Sequence, residues 1–111
     1  MFFERKNQRW AALAEATIEG AFSGRALVKD LSVTGCRLES AVPMHINTGE
    51  VYMIVVYPEA SANIAEFELK AQVQWIESGS AGCEAGFSIK VSPKGAFFNR
   101  YIDYLDYRAS F

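Results

Sequence analysis

The chain is poor in the residues that carry chemistry. Of 111 residues only one is histidine, His45, and two are cysteine, Cys36 and Cys83. The single imidazole lies in the loop-like stretch Pro43-Met44-His45-Ile46-Asn47 with no serine-centred motif beside it, so a nucleophilic triad has no base in place. Two distant thiols without a CxxC spacing exclude a disulfide framework and a zinc or redox pair, and they read as free, buried side chains. Scattered carboxylates add no metal-ligand spacing. The expectation is a non-catalytic protein with no metal and no cofactor.

An excess of charge of one sign is also lacking. Eleven Lys and Arg against thirteen Asp and Glu give a net charge of -2, so no global positive field holds a long nucleic acid. No apolar run approaches the roughly 18 to 20 residues that span a bilayer, and the opening MFFERKNQRW has no signal-peptide core, which implies a cytoplasmic protein without membrane insertion. What is present is ordinary globular composition, 50% hydrophobic and 22% charged, in a length that suits one compact domain. The basic character sits at the front: residues 1–29 carry five Lys or Arg against three Glu.

From Ala11 onward apolar residues recur with a period of two, in six short runs separated by Gly, Ser and Asn. Ala14, Ala16 and Ile18 mark the first, and 20–24 reads as a hairpin connection to a second at 25–31. The third, 35–39, turns Cys36 and Leu38 one way and Arg37 and Glu39 the other. The fourth, 51–57, is apolar on both faces, which predicts the most buried strand, central or covered by a helix. Phe67, Leu69, Ala71, Val73 and Trp75 form the fifth alternation, and Cys83, Ala85, Phe87, Ile89 and Val91 the sixth. After Pro93-Lys94-Gly95 the spacing changes to three and four, with Phe98, Tyr101, Ile102 and Leu105 on one face, predicting a helix over 96–108. The expected fold is mainly β: a six-stranded antiparallel β-barrel with a C-terminal α-helix that caps an open end. Residues 1–10 read as a flexible N-terminal arm and 11–111 as the domain.

Two polar clusters stand out. In Arg5-Lys6-Asn7-Gln8-Arg9 two guanidinium groups lie four residues apart. Each is a planar fork that can grip phosphate oxygens or the O6/N7 edge of guanine, although the same spacing also suits a solvated tail. In Asp30-Leu31-Ser32-Val33-Thr34-Gly35 an extended backbone projects Asp30 and Ser32 to one face, a carboxylate acceptor beside a hydroxyl. Gly35 permits positive φ and close approach of a ligand; the same residue also simply makes a turn. Trp75 shares a face with Val73, a core position, but at a strand end it can border a site and stack on a base.

RxxxR ahead of a small barrel, followed some twenty residues later by DxSxxG, resembles the PilZ domain, a bacterial receptor module for cyclic di-GMP. The resemblance extends to Gly49-Glu50-Val51, Ala71-Gln72-Val73-Gln74-Trp75 and Ala85-Gly86-Phe87. It implies that Arg5 and Arg9 engage guanine edges and phosphates in an arm that folds over the ligand, that Asp30 and Ser32 hold a guanine and a phosphate, and that Gly35 gives room. Glu4 before Arg5 adds no guanidinium for a stacked ligand dimer, while Lys6 is placed to neutralise phosphate. The implied partners are cyclic di-GMP and a separate effector protein governing motility, adhesion or polysaccharide synthesis. A ligand-independent interaction module of the same fold and a barrel binding single-stranded nucleic acid are the alternatives.

Overall fold

The computed structural model describes residues 8–91 and 96–110. Its strands are β1 (Trp10–Ala11), β2 (Glu15–Ile18), β3 (Phe22–Leu31), β4 (Gly35–Ser40), β5 (Val51–Tyr57), β6 (Phe67–Gly79) and β7 (Gly82–Val91), followed by helix α1 (Phe97–Ala109). All pairings are antiparallel, in the order β3-β2-β5-β6-β7-β4, and β4 pairs back onto β3. That last pairing closes six strands into a barrel and leaves them no free edge. β1 adds two residues beside β3, with Trp10 opposite Leu31 and Ala11 opposite Asp30.

Alternation builds the interior. Ala16 and Ile18 from β2, Ala26 and Val28 from β3, Cys36 and Leu38 from β4, and Leu69, Ala71 and Val73 from β6 are all buried. Both cysteines are free and buried. β5 is not the most buried strand: only Ile54 and Val56 are buried, and its other face stays half-covered or exposed. β-branched and aromatic residues on that outer face satisfy strand propensity without needing a covering layer. The connection expected at 20–24 is tighter, because pairing of Ile18 with Phe22 confines the turn to 19–21.

Helix α1 runs as its spacing predicts, within a residue at each end, with Phe98, Tyr101, Ile102 and Leu105 buried. Phe98 meets the edge of Phe67 at 5.8 Å between ring centroids, and Tyr101 lies 5.9 Å from the same ring. Glu59, in the β5–β6 connection, ties the helix down: Tyr101 Oη donates to its Oε1 at 2.6 Å and Arg108 Nη1 to its Oε2 at 2.9 Å. Arg108 also donates to the Ala11 carbonyl, joining helix to β1. Trp10 is buried and its indole N–H donates to Asp106 at 3.3 Å, so the last residue assigned to the arm belongs to the barrel. Among the described residues no helix is long and apolar enough to cross a membrane.

Candidate functional site

Two β-bulges shape the outer face where β3, β4, β7 and β6 run side by side. In strict alternation Asp30 would follow Ala26 and Val28 into the core. Instead the β3–β4 register shifts between Val28 and Asp30, so Leu31 turns inward and Asp30 turns out, opposite Arg37. The β6–β7 register shifts likewise between Val73 and Trp75. Trp75 therefore leaves the face it would share with Val73 and is 39% exposed, while Ile76 packs against the core. A single extra residue reverses the facing of everything after it, which is how a bulge re-aims side chains.

The result is a transverse row. Asp30 pairs with Arg37, Arg37 with Gly86, and Gly86 with Trp75. Arg9, immediately before β1, reaches the near end of the row, where its Nη1 donates to Asp30 Oδ1 at 2.6 Å. Arg37 Nε stands 3.1 Å from Asp30 Oδ2, but misaligned, so that the contact is an ion pair and the N–H has no hydrogen-bond acceptor. Arg37 Nη1 lies 3.3 Å from Glu84 Oε1. Arg9, Asp30, Arg37, Trp75 and Gly86, over Cys36, line a half-open concavity of about 310 Å³, the lower end of the size range of small-ligand sites. Gly86 is required here because a Cβ would collide with the Trp75 indole lying across it.

Beneath this row the Cys36 thiol is pushed up to about 12, chiefly by burial and further by the Asp30 charge, with Arg9 opposing. It is an inert thiol at neutral pH.

The sequence-derived candidates separate into three groups. Arg9, Asp30 and Trp75 come together, and Arg9, read from sequence as part of a flexible arm, is held to β3 by its ion pair with Asp30. Ser32 is placed elsewhere. β3 ends at Leu31, so period-two geometry no longer relates it to Asp30, and its side chain is buried within the turn. Its Oγ accepts from the backbone N–H of Gly35 at 3.0 Å and of Thr34 at 3.3 Å, and lies 3.3 Å from the Gly35 carbonyl. Gly35 does not use positive φ. It is needed for close approach: a Cβ there would stand 2.6 Å from the Phe87 carbonyl oxygen and 3.6 Å from Arg9 Nη2. Arg5 and Lys6 lie outside the described residues.

Sequence reasoning missed Arg37 and Gly86. The signal for Arg37 was its outward parity on β4, next to the cluster; for Gly86 it was a lone glycine inside a strand pattern, a mark of close approach. His45 is exposed on the loop before β5 and does not line the concavity. Among the described residues no group of three or more His, Cys, Asp or Glu is placed to hold a metal ion.

Guanidinium, carboxylate and indole groups around a half-open concavity on a closed barrel form a binding arrangement, the anatomy of a ligand-receptor domain. The PilZ domain model matches residues 3–105, and the chain belongs to the PilZ domain family. In fold it is similar to the inhibitor of motility MotI/DgrA of Bacillus subtilis, with a TM-score of 0.74 and 18% identity over 97% of this chain. The chain spans about half the length of that protein, 52%. Among curated protein sequences none matches it. No comparison indicates a catalytic family.

Proposed function

We propose that this PilZ domain is a non-catalytic receptor for cyclic di-GMP that relays binding to a separate effector protein through its N-terminal segment. The observation that carries the reading is the convergence of Arg9 and Asp30, one from each family motif, on a single concavity walled by Trp75. In this reading Asp30 accepts from the N1–H and N2–H of a guanine, and Arg9, joined by Arg5 and Lys6, exchanges its intramolecular carboxylate for ligand phosphate and base edge. Trp75 offers a face for stacking. Ser32 and Gly35 hold the turn that fixes Asp30. Transfer of Arg9 from Asp30 to ligand reorders the segment before β1 and alters the surface presented to the effector.

Calorimetric titration with cyclic di-GMP and cyclic di-AMP tests this. Cyclic di-GMP is expected to bind with clear preference, because adenine replaces the O6 acceptor with an N6 donor and sets donor against donor at an arginine contact. Equal affinity for the two refutes the guanine contacts.

A further inference from the structure

Three groups compete for the Asp30 carboxylate: Arg9, Arg37 and, in the receptor reading on which this section rests, a guanine. The two arginines are held very differently. Arg9 precedes a two-residue strand, its side chain is 54% exposed, and among the described residues its only ion pair is with Asp30 Oδ1. Arg37 sits within β4, a strand hydrogen-bonded on both sides in the closed barrel, and its guanidinium is braced between two carboxylates, Asp30 through Nε and Glu84 through Nη1. Neither ion pair uses Nη2. Arg9 can therefore leave Asp30 by rotation of an exposed side chain, whereas Arg37 stays where its neighbours place it, pre-organised at little further entropic cost.

We infer that Arg37 is the guanine-discriminating residue of this site: with Arg9 withdrawn to the ligand, Asp30 Oδ1 takes the N1–H and N2–H of a guanine while Arg37 Nη2 donates to its O6. The cross-strand row supports this assignment. Asp30 and Arg37 are direct partners, and the next two positions are a glycine and an indole. A purine stacked on the Trp75 indole, which itself covers Gly86, thus meets acceptor and donor side by side, in the order in which guanine presents N1–H and O6. Adenine presents the reverse, an acceptor at N1 and a donor at N6, and conflicts with both. Glu84 is a positioning residue that braces the guanidinium from the far side. Arg37 belongs to neither motif segment; its part rests on the geometry of this barrel alone.

The test pairs protein and ligand substitutions: Arg37→Gln, Arg37→Lys and Glu84→Gln are titrated with cyclic di-GMP and with its analogue carrying 6-thioguanine, whose sulfur is a poor acceptor. The wild-type chain is expected to lose about tenfold or more in affinity on the change from O6 to sulfur, and Arg37→Gln to bind cyclic di-GMP more weakly by a similar factor. Arg37→Gln should then be indifferent to the ligand change, because the contact is already gone. Arg37→Lys recovers part of the affinity, and Glu84→Gln loses less than Arg37→Gln. Protein and ligand losses that simply add place Arg37 on a phosphate or in a structural role and overturn the assignment, as does wild-type affinity in both Arg37→Gln and Arg37→Lys. If Arg37→Gln fails to fold, Arg37→Lys and Glu84→Gln carry the same comparison, and undiminished sensitivity to sulfur in both overturns it. A wild-type chain that ignores cyclic di-GMP overturns the receptor reading and this one with it, whereas wild-type binding with additive losses removes this one alone.

Discussion

At the scale of single residues the site is a balance of charges around one carboxylate. Asp30 has two cationic neighbours, so removing Arg9 leaves it paired with Arg37 and should spare the fold. Arg9→Ala and Asp30→Ala are each expected to weaken cyclic di-GMP binding by about 1–3 kcal/mol, the cost of a bidentate or charge-assisted contact, with an unchanged circular dichroism spectrum. Titration at wild-type affinity would move the site elsewhere. Cys36, under the same row, gives a second residue-scale expectation. Its ordinary value is 9.0, and burial pushes it up to about 12. A raised folded-state pKa means that the unfolded chain releases the proton first, so stability is full below pH 9.0 and falls as pH rises towards about 12. Denaturant melts across that window should show the decline, and Cys36→Ala should flatten it. Alkylation of Cys36 in the native protein at neutral pH should be slow compared with the unfolded chain.

Among elements, the regular ones were legible from sequence and the irregular ones were not. Strands β4 and β7 and helix α1 follow their periodicities because one face of each must be buried and the hydrophobic pattern fixes which. The outward turn of Asp30 and of Trp75 was harder to read, because a bulge is a property of two strands in register and shows in one strand only as a slipped alternation, as where Leu31 rather than Asp30 follows Ala26 and Val28 into the core. The same limit explains β5, whose apolar outer face mimics a strand buried on both sides, and Ser32, whose facing was inferred from a strand that stops one residue earlier. The brace at Glu59 was equally invisible, since it joins residues 42 and 49 positions apart. That brace makes a prediction at this scale. The Tyr101 phenol lies in an interior environment that raises its pKa, through burial first, then the hydrogen bond it donates to Glu59, and then the Glu59 charge. Glu59→Ala should destabilise the domain by about 1–3 kcal/mol by removing the acceptor of that buried hydroxyl, measured by chemical denaturation, while ligand affinity stays within twofold. A domain of unchanged stability would show that α1 is held by its apolar face alone.

For the whole molecule, closure and charge decide what kind of ligand suits it. β4 pairing back onto β3 leaves no barrel edge open to strand addition, so recognition falls to side chains on the outer face. Those side chains are charged in a local pattern within a chain of net charge -2. Arg9, Asp30, Arg37 and Glu84 alternate in sign along the row, so the described part of the concavity offers paired donors and acceptors to a compact ligand rather than a run of positive charge. A polymer of phosphates releases many condensed counterions when bound, and its affinity falls steeply with salt; a cyclic dinucleotide has two phosphates and no comparable ion atmosphere. Cyclic di-GMP affinity is therefore expected to change only modestly between low and physiological salt. Binding to single-stranded oligonucleotides should be weak and lost as salt is raised, because an acidic chain offers the rest of a polymer no field to follow. Fluorescence anisotropy across a salt series, with labelled oligonucleotide and labelled dinucleotide in parallel, measures both slopes. Tight oligonucleotide binding with a steep slope, alongside no response to the dinucleotide, would make this barrel a single-strand binder and refute the receptor reading.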